Sequence, residues 1–277
     1  MLKAFSIICV LVLALAANVS AADLALVEAS ALATRLAESV ILDARPRKEW
    51  NAGHLPGAHS FYWEDYSRKE TAGAETRILA PREMAPALAR LGIDERTPVV
   101  IYGDADSSWG GEGWAAWLLS SMGHRGSIRL LNGGIQSWRE RGLPLVKGPE
   151  STVPAKAHYR VDLRPQLSVA AEDLERLKGK VSLVDVRSTL EWFRGRIPGA
   201  VHIPWQEFFT GKERRPLSPA QLKKLLAGHG VDPEKPVVYY CAAGVRSSYA
   251  WLVHHLSGLP DARNFYGGMD AWKKTGR

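Results

Sequence analysis

Cysteine is scarce here: 277 residues hold two, Cys9 and Cys241. So few thiols exclude a disulfide-stapled scaffold, and a chain this long buries a core without staples. Long apolar runs are scarce too. The one present, Ala4 to Ala17 broken only by Ser6, is fourteen residues long, short of the ~20 that a spanning helix needs. No stripe of Lys and Arg interleaved with aromatics occurs, although 36 basic against 29 acidic residues give a formal net charge of +7. The two signs are mixed along the chain, which argues against nucleic acid as a partner and leaves attraction of small anions. No pair of candidate ligands has metal spacing, and no Gly-rich fingerprint follows a strand. No metal or nucleotide cofactor is therefore expected.

What is present begins with a leader pattern. Lys3 precedes the apolar run, and Val19-Ser20-Ala21 or Ser20-Ala21-Ala22 supplies small residues for cleavage. Residues 1–22 thus read as a secretory signal peptide, with an uncleaved anchor disfavoured by the length of the run. Cys9 lacks the preceding small residues of a lipidation signal. Removing 22 of 277 residues leaves 255 and lowers the charge to +6. The expected product is an exported, periplasmic protein with no membrane contact and one thiol, Cys241. A lone thiol in an oxidising compartment is a liability unless it is buried or used.

The remaining chain repeats itself. Ile41-Leu42-Asp43-Ala44-Arg45, Glu49-Trp50, Gly53-His54-Leu55-Pro56-Gly57-Ala58 and Trp63 recur as Leu183-Val184-Asp185-Val186-Arg187, Glu191-Trp192, Gly195-Arg196-Ile197-Pro198-Gly199-Ala200 and Trp205, all offset by 142. Pro98-Val99-Val100-Ile101-Tyr102 recurs as Pro236-Val237-Val238-Tyr239-Tyr240 at an offset of 138. Gly133-Gly134 with Trp138 recurs as Gly267-Gly268 with Trp272 at 134. Constant order with drifting offsets means two duplicated domains with loop insertions. Short runs rich in Val, Ile and Tyr (Val40–Leu42, Val99–Tyr102, Val181–Val184, Val237–Tyr240) read as buried parallel strands. Met84–Leu91 and Ala220–Leu226 read as helices, the second capped by Ser218 and opened by Pro219. The pattern predicts an α/β fold, with a mostly parallel sheet covered on both faces in each half. The halves are joined by a proline-containing linker over 146–165.

The chemistry is expected after the strand Val237–Tyr240, in Cys241-Ala242-Ala243-Gly244-Val245-Arg246-Ser247-Ser248, before a helix over Tyr249–His255. Open α/β sheets bind ligands at that edge, and helix N-termini favour anions. Such a setting favours the thiolate of Cys241. Gly244 permits the backbone turn of an anion cradle, and Arg246 adds positive charge. The bland reading makes Cys241 an apolar filler and Gly244 an ordinary turn residue. Against it, the same position in the first half, counted from Pro98, is Gly103, in a loop with two carboxylates and no thiol. Four residues separate Cys241 from Arg246, one fewer than a cysteine phosphatase needs to wrap a phosphate; a persulfide sulfur fits better.

Together, the Asp-x-Arg strand end, the Gly-x-Ile-Pro-Gly-Ala signature and the Cys-x-x-Gly-Val-Arg-Ser loop resemble the rhodanese superfamily, in its tandem-domain form. The resemblance covers both halves. It implies two rhodanese-like folds of about five strands each: a non-catalytic domain over 23–145 and a catalytic one over 166–277. It further implies sulfur transfer by double displacement through a Cys241 persulfide, from a small anionic donor to cyanide or a thiol, a protein thiol included. Backbone N–H groups of Ala242, Ala243, Gly244 and Val245, with Arg246, would bind the anion. Arg187 matches the family's substrate-binding arginine, with an ion pair to Asp185 or Glu191 as its alternative. Ala242 and Ala243 match neither the basic pair of thiosulfate enzymes nor the Gly-hydroxyl pair of mercaptopyruvate enzymes. The Val-Arg-Ser ending inclines the expectation to thiosulfate, with 3-mercaptopyruvate as the alternative. A persulfide carrier or anion-binding module without turnover, and a homodimer disulfide-linked through Cys241, are further readings. His54, where the second half has Arg196, either faces the active site across the domain interface or is a surface histidine. Trp109, beside Gly110-Gly111, is a candidate wall of the cleft that nothing in the sequence decides. The tryptophan pairs 50/192, 63/205 and 138/272 read as core and interface packing.

Overall fold

A computed structural model describes residues 23–69, 76–148 and 157–276; the leader pattern lies outside them. In the first half, β1 (Leu24–Val27), β2 (Val40–Asp43), β3 (Ala58–Ser60), β4 (Val99–Tyr102) and β5 (Ile128–Leu131) form a parallel sheet in the order β1-β5-β4-β2-β3. In the second half, β6 (Ser182–Asp185), β7 (Val201–His202), β8 (Val237–Tyr240) and β9 (Ala262–Phe265) pair in the order β9-β8-β6-β7, again all parallel. The two sheets thus have five and four strands, in keeping with the about five expected of each half. The missing edge survives as one parallel bridge, Ser168 to Asn264, hemmed in by 3-10 turns at Pro165–Leu167 and Ala171–Asp173.

Helices α1 (Arg47–Ala52), α2 (Pro81–Arg90), α3 (Gly111–Ser121) and α4 (Gly134–Glu140) belong to the first half, and α5 (Thr189–Phe193), α6 (Pro219–Gly228), α7 (Val245–Leu256) and α8 (Gly268–Lys274) to the second. Ser218 caps α6 as expected: its Oγ accepts from Gln221 N, while its own N–H donates to Gln221 Oε1 at 2.9 Å. Strand residues alternate between two cores. Val99 and Ile101 face α2 and α3, whereas Val100 and Tyr102 face α4; Val237 and Tyr239 face α6 and α7, whereas Val238 and Tyr240 face α8.

The halves join through α3 and α7. Helix α3 is buried all round from Gly111 to Ser120, because its own sheet covers one side and α7 the other. Gly113 makes the approach possible: a Cβ there would lie 2.3 Å from Tyr249 Cα. One apolar cluster thus runs from Leu42 and Trp114 through Tyr249 and Trp251 to Val184. On the linker, Asp162 and Arg164 donate backbone N–H groups to Met122 and Ser121 carbonyls at the end of α3. Of the paired tryptophans, Trp50, Trp138, Trp205 and Trp272 are buried; Trp192 is half-buried, with the Arg196 guanidinium 4.6 Å from its ring centre.

Candidate active site

Strand β8 ends at Tyr240, and Cys241 follows at the sheet edge where ligands collect. Helix α7 starts at Val245, four residues earlier than the periodicity suggested, so the Cys241 loop is only Cys241 to Gly244. Gly244 sits at φ 88°, and a Cβ on it would lie 2.4 Å from the Tyr266 carbonyl; only glycine closes this turn. Its N–H points back at Cys241 Sγ, 3.1 Å away. The loop is tied down by Met269 and Asp270 N–H groups, which donate to the Cys241 and Ala242 carbonyls at 2.8 and 3.1 Å. Ser247 Oγ lies 3.6 Å from Sγ and 2.7 Å from Asn264 Oδ1, one hydroxyl proton for two acceptors. Cys241 is 2% exposed.

Arg246 is placed beside the thiol, but its charge is already matched. Its Nη1 and Nη2 fork onto Glu191 Oε2 and Oε1 at 2.7 and 2.8 Å, and Glu191 also accepts from Ser188 N and Oγ. Arg246 and Ser188 hold the Glu191 carboxyl down to about 2, against a smaller opposing effect of burial. Burial disfavours the Arg246 cation, yet Glu191 and Cys241 together leave it more firmly protonated than usual. Glu191 is the site residue that sequence reasoning passed over. Its signal was available: the Glu-Trp pair is duplicated, and a loop arginine at a buried helix start needs a counter-ion.

Arg187 takes the ion-pair alternative. Its Nε and Nη2 bond Asp185 at 2.6–3.1 Å, and Nη2 reaches the Gly195 carbonyl at 2.6 Å. Arg45 makes the same set with Asp43 and Gly53 in the half that has no thiol. The ion pair therefore forms without a thiol in the neighbouring loop. Arg187 lines a cavity of about 190 Å³ beside the loop, with Glu191, Arg194, Ala242 and Lys273.

The cleft that contains Cys241 has a volume of about 380 Å³ and is lined by Trp63, Trp109, Glu191, Ala242, Ala243, Val245 and Arg246. Both alanines and Val245 therefore face the site, and two tryptophans reach it from the first half. Trp109 is 53% exposed and stands at φ 55°, a conformation costly for a bulky side chain. His54 does neither of the things expected. It is fully buried in the first half, stacked 4.3 Å from Trp50 with Nδ1 2.8 Å from the Trp50 carbonyl, and it is not among the cleft residues. Its chain pairs with Val146 as a two-residue bridge, which draws it inside.

The first half shows how the same loop is closed when no thiol is present. Gly103 follows β4 as Cys241 follows β8, and Gly110 opens α3 in the left-handed region as Gly244 opens α7. The Gly103 loop is four residues longer, which accounts for the drift in offset from 138 to 134. Glu112, two residues after Gly110, holds the helix position of Arg246. It turns inward, so that a Cβ on Gly103 would lie 2.3 Å from its Oε2. Ser108 Oγ is 2.8 Å from the same oxygen, and burial pushes the Glu112 carboxyl up to about 7.

Comparison with known proteins bears on both halves. The family model described as a Rhodanese-like domain matches residues 28–141 and again 170–275. The chain is 32% identical over 246 residues to the sulfur carrier protein TtuD of Thermus thermophilus, covering 80% of this chain and 83% of that one. It is 31% identical over 245 residues to human 3-mercaptopyruvate sulfurtransferase (83% and 80% covered) and 30% identical over 243 residues to mouse thiosulfate sulfurtransferase (82% and 79%). Among solved structures, SseA from Escherichia coli superposes with a TM-score of 0.78 at 24% identity, over 88% of this chain and 98% of SseA, a likeness of fold.

Proposed function

The chain belongs to the rhodanese family of sulfurtransferases, and on that footing we propose that Cys241 is its catalytic residue and carries the transferred sulfur as a persulfide. The observation that carries this reading is the Cys241 loop. A buried sulfur receives the Gly244 N–H at 3.1 Å, at the start of a twelve-residue helix, and faces a cleft. The N–H groups at the start of α7 stabilise negative charge on the thiolate and on the persulfide.

In the first half-reaction the Cys241 thiolate attacks the outer sulfur of thiosulfate. The Sγ–S bond forms as the S–S bond of the donor breaks, and sulfite leaves with the electron pair. In the second, the cyanide carbon or a thiolate attacks the terminal persulfide sulfur and returns the Cys241 thiolate, which gives ping-pong kinetics. Arg246 acts by position: its ion pair with Glu191 fixes the start of α7 beside the sulfur, where the helix N–H groups meet the charge that builds. Thiosulfate is the preferred donor in this reading. It is compact enough to be held by loop N–H groups, which suits a cleft in which Arg246 is already matched to Glu191. The leader pattern supports a site of action outside the cytoplasm, which fractionation of tagged protein tests.

The likeness to a sulfur carrier protein favours one second reading, a chain that accepts the persulfide and delivers it to a partner without rapid turnover. Assays of wild type and Cys241→Ala with thiosulfate and with 3-mercaptopyruvate, each with cyanide, separate the readings. Turnover by wild type alone is expected, fastest with thiosulfate. Faster turnover with 3-mercaptopyruvate overturns the donor assignment. A gain of one sulfur in the Cys241 mass without turnover selects the carrier, and an unmodified thiol in an inactive protein overturns both.

A further inference from the structure

Helices α1 and α5 are twins: each follows an Asp-x-Arg strand end, held by the same arginine bonds to an aspartate and to a glycine carbonyl. Their outward faces differ. On one face of α1 stand the exposed residues Lys48, Asn51 and Ala52. The same positions in α5, 142 residues on, are Leu190 at 60% exposure, Phe193 at 75%, and exposed Arg194. They are spaced i, i+3 and i+4, so they share one face of the turn. Packing does not require the apolar pair, since the twin helix holds its place with polar residues there.

The position of this face gives it meaning. Glu191, on the flank of the same helix, anchors α5 to Arg246 and lines the Cys241 cleft. Arg194 lines the adjoining cavity with Lys273 and Ala242. Trp109, also exposed, lines the same cleft from the first half. The helix that brings Glu191 to the thiol site thus carries an exposed apolar pair, Leu190 and Phe193, with the exposed cations Arg194 and Lys273 in the adjoining cavity and Arg196 stacked on Trp192 of the same helix. Apolar surface with a charged rim is the composition of a protein-binding patch, and its sign selects an acidic partner.

We propose that the face of α5 formed by Leu190, Phe193 and Arg194 docks an acidic protein that presents its thiol to the Cys241 persulfide from an apolar surface. The proposal rests on the sulfur-transfer reading above. It differs from that reading in naming a macromolecular acceptor and the surface that selects it. On docking, the acceptor thiolate attacks the terminal sulfur of the Cys241 persulfide, so the sulfur moves to the acceptor and Cys241 is regenerated as thiolate.

The test uses the full chain charged with thiosulfate and two short synthetic peptides, each with one cysteine flanked by leucine and phenylalanine. One peptide carries glutamates and the other lysines in their place. The double variant L190K/F193N takes its residues from the twin helix, so it is compatible with the fold. Wild type is expected to transfer sulfur to the acidic peptide with a kcat/KM about tenfold above that for the basic one. The double variant should lose about tenfold in kcat/KM with the acidic peptide, since the lost apolar contact outweighs one added surface charge, while its turnover of thiosulfate with cyanide stays unchanged. Equal rates with both peptides in wild type, or an undiminished kcat/KM with the acidic peptide in L190K/F193N, overturns the docking face and leaves the sulfur-transfer reading standing. A wild-type dimer that sediments as a monomer after L190K/F193N also overturns it, by assigning the face to a second copy of the chain. Absence of transfer to cyanide and peptides alike overturns both.

Discussion

Replacing Glu112 with glutamine tests whether the first half closes its thiol-free loop with a neutral acid. Burial raises this carboxyl from an ordinary 4.5 to about 7, because a charge there would face little water and would feel Asp104 and Asp43. The folded state therefore holds the proton more tightly than the unfolded state. Its contribution to stability is fully present below pH 4.5 and drains away as pH rises through about 7. A shift of this size corresponds to about 3 kcal/mol of stability lost over that window. The substituted amide keeps an oxygen to accept from Ser108 and never ionises. Urea unfolding of wild type and Glu112→Gln between pH 4.5 and 8 should then give curves that meet at the acid end and separate upward, the variant being about 3 kcal/mol more stable at pH 8. Buried His124, His254 and His255, which burial holds neutral, push the other way with pH in both proteins, so the difference between the curves isolates Glu112. A gap that stays constant across the range refutes the reasoning.

Other substitutions probe the cleft and the joint between the halves. Glu191→Gln strips Arg246 of its counter-ion at a largely buried position and should cost about 1–3 kcal/mol at pH 7, read by urea unfolding. Because Glu191 is held down to about 2, its contribution is present above 4.5 and lost as pH falls toward 2, so the variant should also show a flatter acid limb. Trp109→Gly removes the left-handed strain and should raise stability by about 1 kcal/mol in thermal unfolding, while the KM for sulfur donor rises as one wall of the cleft is lost. Gly113→Ala places a methyl 2.3 Å from Tyr249 Cα, forcing α3 from α7. It should cost about 3 kcal/mol or more and split one calorimetric transition into two.

Much of this architecture was legible because duplication makes a sequence its own control. Constant offsets located the paired strands, and Gly103 fell opposite Cys241 by counting alone. Drift in the offset marked where loops differ, and the structure places the second change, 138 to 134, inside the loop that has no thiol. What stayed hidden were pairings between elements that are distant along the chain. Arg246 reads in the sequence as an unbalanced cation, since Glu191 lies 55 positions away and meets it only after α5 and α7 are docked. Glu112 is not marked by the sequence pattern, and its carboxyl is buried because it turns in against Gly103 and Ser108 of the preceding loop. His54 failed for a related reason. The motif Gly-His-Leu-Pro-Gly-Ala says nothing of the bridge to Val146 that buries it, since Val146 lies at the margin of the linker. Local pattern thus reported strands, caps and the thiol, which depend on neighbours in sequence. Charge state and access depend on which faces meet, and in this chain the decisive meeting is that of α3 with α7. That joint brings Trp63 and Trp109 from the thiol-free half to the cleft. The first half therefore supplies part of the cleft wall, although glycine stands in its own loop where the second half has Cys241.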